Sequence, residues 1–128
     1  MDDRKTPTDR PLVLVVEDEP ILRMTAVDMV EEAGYTAVEA HNAIEAVAIL
    51  EARTEIRIVF TDIDMPGGMN GMLLAAAIRD RWPPIEIILT SGAMTPAADL
   101  IPARSVFLSK PYSQRELEGA LGGFSASH

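Results

Sequence analysis

The chain has 128 residues, of which 48% are hydrophobic, a composition that fits one globular domain and excludes disorder for most of its length. It lacks cysteine, which excludes disulfides, thiolate metal sites and cysteine nucleophiles. A formal charge of −9, from 20 acidic and 11 basic residues, disfavours binding to nucleic acid. No apolar run approaches the roughly 20 residues of a membrane helix, and no secretory signal is visible, so we expect a cytoplasmic protein without membrane contact.

Strand and helix patterns alternate from the N-terminus onwards. Residues 1–10 are polar and charged and predict a disordered leader. Leu12–Val16 is an uninterrupted run of valine and leucine, which is typical of a strand buried on both faces. A stripe of apolar residues predicts a helix over Pro20–Ala33, and Thr36–Ala40 predicts a second strand. A further helix is expected from its cap at Asn42 to about Ala52.

The middle of the chain repeats this alternation. Ile56–Thr61 predicts a third strand, which ends on Asp62. The loop Ile63–Asn70 leads into a helix over Gly71–Arg81, which a tryptophan and two prolines close.

A weak helical signal separates the last two strands, which are predicted at Glu86–Thr90 and Ser105–Ser109. Pro96 and Pro102 leave room for little more than Ala97–Ile101 as a helix, because proline is poorly tolerated in a helix interior. A short or irregular fourth helix is therefore expected.

A capping box formed by Ser113 and Glu116 predicts a last helix to about Leu121, with residues 123–128 as a flexible tail. Residues 11–122 then form one α/β domain, in which five short strands alternate with helices. This alternation favours a doubly wound parallel sheet with helices on both faces. We expect the flavodoxin-like strand order 2-1-3-4-5.

Polar residues stand at the carboxyl ends of these strands. In an open parallel sheet those ends share one edge, and ligands bind there where the strand order reverses. If the first and third strands are neighbours, three carboxylates converge on one cleft, which is costly without a cation. Mg²⁺ suits such a site because it prefers oxygen ligands. The residues are Glu17 and Asp18, Asp62, Thr90, and Lys110.

With these residues the chain resembles the receiver domains of bacterial two-component systems, of the chemotaxis type with a single domain. The resemblance covers about Leu12–Leu121. It rests on the acidic pair and on three short motifs, TDIDMP around Asp62, LTSG around Thr90, and SKPY around Lys110. Each motif alone is common, whereas their joint occurrence in order at the strand ends is specific.

The resemblance implies a role for each residue. Asp62 would be the nucleophile that accepts a phosphoryl group from a histidine, and Mg²⁺ would be the cofactor. Asp18 and Asp62 would bind the metal directly, Glu17 mostly through water, and Asp64 through its backbone carbonyl.

Three further features follow from the same resemblance. Lys110 would pair first with Asp62 and then with a phosphoryl oxygen, and Thr90 would donate its hydroxyl to another oxygen. Phe107, three residues before Lys110, would be the aromatic switch residue that moves inward with Thr90. The Lys110–Pro111 bond is cis in many relatives.

Between Pro66 and Gly71 lie four residues, one more than the commonest spacing in the family. A glycine pair in this loop can absorb the extra residue. Asp64, two residues after the nucleophile, is a second acid at the rim of the cleft, and we expect it to tune the lifetime of the phosphoryl group.

Taken singly, each of these residues has a simpler interpretation. Glu17 and Asp18 could serve only as acids favoured at a helix N-terminus, and Thr90 could be an ordinary strand residue. Phe107 could be core, and Lys110 could be a solvated loop lysine.

The expected partners are a histidine kinase or a histidine phosphotransfer protein, and an unidentified downstream protein target. A monomer or a weak dimer is expected, and the chain could be a stand-alone protein or part of a hybrid kinase. The enzyme activity expected is limited to self-catalysed phosphoryl acceptance and autodephosphorylation.

Two other functions remain open from the sequence. Asp62 and Asp64 flank one residue, as in haloacid-dehalogenase phosphatases, although Pro66 stands where that motif has threonine or valine. A receiver-like interaction module that does not use phosphate is the other alternative.

Overall fold

In a computed structural model, the chain folds into a five-stranded sheet with four α-helices, and the structure describes residues 10–65, 70–93 and 95–126. Residues 1–9 of the predicted leader, the glycine pair of the loop after β3, and residues 127–128 of the predicted tail lie outside the described residues. The strands are β1 Leu12–Val16, β2 Thr36–Ala40, β3 Ile58–Asp62, β4 Glu86–Ser91 and β5 Ser105–Ser109. The helices are α1 Pro20–Glu32, α2 Ala43–Ala52, α3 Gly71–Arg81 and α4 Gln114–Ala126.

All strands are parallel, and their order is β2-β1-β3-β4-β5, as predicted. The chain first steps from β1 to β2 on one side and then crosses back to β3 on the other side of β1. This reversal places the carboxyl ends of β1 and β3 next to each other, at the position where ligands bind in open α/β sheets.

The core consists of two apolar layers, one on each face of the sheet, because successive strand residues point to opposite faces. Val13 and Val15 of β1 and Phe60 of β3 pack under α1 and α4. Leu14 and Val16 of β1 face the other layer, which α2 and α3 cover. Every residue of β3 and β4 is buried, including the polar residues Asp62 and Thr90 at their carboxyl ends.

Side-chain caps fix the starts of the helices that follow the strands. The Asn42 side chain accepts a hydrogen bond from the Glu45 amide at 2.8 Å at the start of α2. Ser113 and Glu116 bond reciprocally at 3.0 and 2.9 Å, which confirms the predicted capping box before α4.

Two predicted boundaries were wrong by more than one residue. β3 starts at Ile58 rather than Ile56, because the Ile56 amide donates back to the Arg53 carbonyl and belongs to a turn. The last helix runs to Ala126 and does not end near Leu121. Phe124 continues the buried stripe of Leu117 and Leu121 and is itself buried, so residues 123–126 are helical and do not belong to a tail.

The predicted fourth helix is indeed short, a single 3₁₀ turn at Ala98–Leu100. The Arg79 side chain of α3 holds the surrounding connections in place. Its guanidinium donates to the carbonyl oxygens of Pro83 at 2.8 Å, Ile85 at 2.9 Å and Ala103 at 2.8 Å. One arginine therefore ties the approach to β4 to the approach to β5.

None of the helices in the described part of the chain combines the length and apolar character that a bilayer crossing requires.

Candidate functional site

The acidic residues predicted to meet do so at the edge shared by β1 and β3. Glu17 directly follows β1, and Asp62 is the last residue of β3. One carboxylate oxygen from each of Glu17, Asp18 and Asp62 can be chosen so that all three lie within 4.8 Å of one another. Glu17 and Asp62 are 6% and 4% exposed, and Asp18 is the most exposed of the three. Such a set of hard oxygen ligands fits a divalent cation such as Mg²⁺, which would relieve the repulsion between them.

Lys110 lies against these acids. Its Nζ is 2.9 Å from Oδ2 of Asp62 and 3.6 Å from Oε1 of Glu17. The Lys110 amide also donates to the Ser91 carbonyl at 3.0 Å, which fixes the start of the loop after β5 next to β4. The following Lys110–Pro111 bond is cis.

Burial and charge shift the ionisation of two of these groups. Burial raises the pKa of Glu17 to about 7, and a hydrogen bond to Asp62 adds to this effect. Burial alone would lower the pKa of Lys110, but the hydrogen bond to Asp62 and the charges of Asp62 and Glu17 outweigh it and raise that pKa. Lys110 therefore stays an ammonium ion beside Asp62.

The backbone around Asp62 fixes the direction of its carboxylate. Its Oδ1 accepts a hydrogen bond from the Asp64 amide at 2.9 Å, and the Ile63 amide donates to the Thr90 carbonyl at 2.8 Å. Gly71, the first residue of α3, packs directly on this loop. A Cβ on Gly71 would collide with the Asp62 carbonyl oxygen and come within 2.8 Å of the Ile63 Cα, so the close approach requires glycine.

Thr90 lies on β4, next to the strand that carries Asp62, and Phe107 lies on β5, one strand further from it. Thr90 pairs with Asp62 in the sheet register, and its side-chain hydroxyl is buried. Among the residues that the structure describes, that hydroxyl has no hydrogen-bond partner. Phe107 of β5 is half-buried and packs against the layer that α2 and α3 cover.

The Asp64 residue is exposed, and its side chain bonds to the last residue of β4 and to the loop that follows. Its Oδ2 accepts hydrogen bonds from the Ser91 hydroxyl at 2.7 Å and from the Gly92 amide at 3.2 Å. The Ser91 hydroxyl in turn accepts from the Ala93 amide at 3.1 Å. Asp64 thereby links the loop after β3 to the end of β4 and the loop after it.

Arg23 of α1 contacts the backbone of the acidic pair. Its side chain is only 11% exposed, and its Nη1 donates to the Glu17 carbonyl at 2.9 Å. Its Nε pairs with Oε1 of Glu39, a residue of β2, at 3.1 Å. The sequence analysis missed the contacts of Arg23, Ser91 and Gly71. Of these, only Gly71 carried a signal in the sequence, because glycine at the start of a helix can mark a close backbone approach.

Comparison with known proteins identifies the family. Residues 13–122 match the model of a family described as the response regulator receiver domain. The chain is 39% identical over 109 residues to the sensor kinase CckA of Brucella abortus, covering 82% of this chain and 11% of that protein. It is 30% identical over 114 residues to Protein PilG of Pseudomonas aeruginosa, covering 85% of this chain and 83% of that protein. The chain therefore spans only a small part of some curated relatives that it matches.

Solved structures agree with this result. The response regulator protein TrrA of Thermotoga maritima, in complex with Mg²⁺–BeF, superposes with a TM-score of 0.79 at 28% identity, covering 88% of this chain and 97% of that one. A signal receiver domain from Pseudomonas fluorescens has a TM-score of 0.78 at 27% identity, covering 92% and 96%. These matches favour neither of the two alternative functions, the haloacid-dehalogenase phosphatase and the phosphate-independent interaction module. Fold, cleft and relatives together place this chain in the response regulator receiver domain family.

Proposed function

We propose that Asp62 accepts a phosphoryl group from a phosphohistidine on a partner protein. The observation that carries this proposal is the position of the Asp62 carboxylate, 2.9 Å from the Lys110 ammonium and within metal-sharing distance of Glu17 and Asp18. An oxygen of Asp62 would attack phosphorus, the bond from phosphorus to the imidazole nitrogen would break, and an acyl phosphate would form.

The neighbouring residues would stabilise the phosphoryl oxygens. Lys110 would exchange part of its contact with Asp62 for one oxygen, and Thr90 would donate its buried hydroxyl to another. Mg²⁺, held by Asp18, Asp62 and the Asp64 carbonyl and by Glu17 through water, would supply charge neutralisation. The structure of the similar TrrA with Mg²⁺–BeF supports the choice of this metal.

The partner that donates the phosphoryl group would be a histidine kinase or a histidine phosphotransfer protein. One similar protein, CckA, is named a sensor kinase. Beside the acidic cleft, the first turns of α1 expose Ile21 and Met24, which are 68% and 59% exposed, and such a patch favours docking of a partner. The donor would bind there while its histidine reaches Asp62.

Phosphorylation would then act on a downstream protein target through Thr90 and Phe107, with Phe107 as the switch residue. The unpartnered Thr90 hydroxyl supports this view, because a new hydrogen bond to the phosphoryl group favours whatever loop arrangement permits it. The downstream target is unidentified. The expected oligomeric state, a monomer or a weak dimer, and the expected cytoplasmic location stay predictions.

Asp64 would tune the lifetime of the phosphoryl group through autodephosphorylation. Its contacts with Ser91 and Gly92 suggest that it does so by restraining the loop after β4, next to Thr90, as well as by acting on attacking water. Asp64→Asn keeps an acceptor but removes the charge, so we expect a changed rate of phosphoryl loss. An unchanged rate would contradict this role.

Phosphotransfer profiling tests the proposal. Autophosphorylated histidine kinases of the source organism would be mixed with the chain and Mg²⁺, and label on the chain would be followed over seconds to minutes. We expect one kinase to transfer rapidly, with no transfer to Asp62→Asn. An Ile21→Asp and Met24→Asp variant should lose transfer from the kinase but keep labelling by acetyl phosphate, which needs no docking surface.

A further inference from the structure

An apolar cavity of about 370 Å³ opens into the acidic cleft. It lies between α1 and the loop after β5, over the sheet face formed by β1 and β3. Leu22, Ala26 and Met29 line it from α1, where their spacing places them on one side of the helix. The volume falls within the roughly 300–1,000 Å³ of small-molecule sites.

The floor of the cavity is aromatic. Tyr112 packs edge-on against Phe60 with ring centroids 5.6 Å apart, and both rings line the cavity. Burial raises the pKa of Tyr112 to about 12, with the charges of Glu17 and Asp62 adding to the effect, so its hydroxyl remains neutral. Aromatic and aliphatic walls of this kind suit a flat apolar group.

The part of the cavity lining next to the acidic cleft is polar and carries a negative balance. Glu17, Asp62, Thr90 and Lys110 form it, and Asp18 adjoins it. Three carboxyl groups face one ammonium, so the local charge favours a cation. The Thr90 hydroxyl, 3% exposed and without a partner within the described residues, is a further polar group in this lining.

We propose that this cavity binds a compact molecule with an aromatic body and one protonated amine, in competition with Mg²⁺. The ring would fill the space under α1, and the ammonium would lie among the carboxyl groups next to the acidic cleft. The competition rests on the proposed metal site, because Glu17 and Asp62 belong to both. Such a ligand would slow phosphoryl acceptance by Asp62.

The direct test is a titration with 2-phenylethylamine in metal-free buffer, followed by amide chemical shifts of α1 and the loop after β5. Phenylacetate has the same ring with the opposite charge, and methylamine has the charge without the ring. We expect 2-phenylethylamine to bind roughly tenfold or more tightly than either probe, since each lacks one of the two contacts. Equal binding of phenylacetate, or no shift at these amides, would overturn the proposal.

Two further measurements locate the ligand. Saturating Mg²⁺ should weaken 2-phenylethylamine binding, and unchanged binding would contradict a shared site. Thr25→Phe, at an exposed rim position of the cavity, should weaken it about tenfold by filling the entrance. Ile44→Phe, at an exposed position of α2, is the matched control and should leave it unchanged.

Labelling of the unsubstituted chain by acetyl phosphate separates the two proposals. If labelling occurs while 2-phenylethylamine fails to bind, only the cavity proposal is wrong. If the amine binds and Mg²⁺ displaces it but no label appears, the phosphoacceptor proposal is wrong and the cavity proposal stands.

Discussion

The Thr90 hydroxyl is the most informative single group in the cleft, because it is buried without a hydrogen-bond partner in the described structure. A buried hydroxyl in this position costs stability until an acceptor arrives. Replacing it with a methyl group of similar shape should therefore relieve that cost. We expect Thr90→Val to raise the free energy of unfolding by about 1 kcal/mol in metal-free urea titrations.

The same substitution should weaken the conformational response to phosphorylation, because valine cannot donate a hydrogen bond to a phosphoryl oxygen. Thr90→Ser is the control, since it keeps the hydroxyl and loses only a methyl group. A Thr90→Val protein clearly less stable than the unsubstituted chain would mean that the hydroxyl has a partner in solution.

Arg23 contacts the backbone of Glu17, a residue of the proposed metal site, so its effect should appear in metal affinity. Groups behind metal ligands typically contribute about 10-fold to 100-fold in affinity by orienting those ligands. We expect Arg23→Ala to weaken Mg²⁺ binding about tenfold by calorimetry, with partial recovery in Arg23→Lys. Arg53→Ala, which removes an exposed ion pair with Glu55, should leave the affinity unchanged.

If Arg23→Ala lowered stability but left Mg²⁺ affinity intact, Arg23 would be a structural residue only. Unfolding curves recorded on the same samples distinguish these outcomes.

Residue types at strand ends were enough to locate the cleft. Glu17, Asp62 and Lys110 each follow or end a strand with a clear apolar pattern, so topology brings them together. Arg23 and Ser91 could not be found in this way. Their contacts depend on side-chain reach across elements, which a linear pattern does not encode.

At the scale of elements, α4 shows how buried contacts override local preference. It continues through Gly122 because Phe124 packs in the layer under α1 and α4. Gly122 is exposed, and nothing lies within 4 Å of a Cβ built on it. We therefore expect Gly122→Ala to stabilise the fold by about 0.5–1 kcal/mol, measured by urea unfolding.

Gly71→Ala provides the contrasting case, since its Cβ would meet the backbone of the Asp62 loop. It should destabilise the fold. Equal effects of the two substitutions would contradict the packing described for α3 and α4.

Strand and helix identities followed from the sequence, whereas some boundaries did not. Pro96 and Pro102 correctly indicated that no full helix forms before β5. Ile56 was misassigned to β3 because an apolar side chain can be buried from a turn as well as from a strand. Burial alone does not define the hydrogen-bonded ladder.

For the whole molecule, the acidic cleft should couple metal binding to stability. Three carboxylates close together destabilise the metal-free fold, and a ligand that binds only the folded state stabilises it. At Mg²⁺ a hundredfold above its dissociation constant, we expect a gain of about 2.7 kcal/mol in unfolding free energy.

Asp18→Asn should remove most of that gain, because it takes away a proposed metal ligand at the more exposed side of the cleft. Glu51→Gln, which alters an exposed ion pair with Arg81, should retain it. A Mg²⁺-dependent gain that survived in Asp18→Asn would place the metal elsewhere.

The most direct measurement is intact-mass analysis of the chain after incubation with acetyl phosphate and Mg²⁺, followed by peptide mapping of the modified residue. We expect one phosphoryl adduct, located on Asp62, that requires Mg²⁺ and is absent from Asp62→Asn but present in Asp64→Asn. An adduct that persists in Asp62→Asn, or that maps to another residue, would contradict Asp62 as the phosphoryl acceptor.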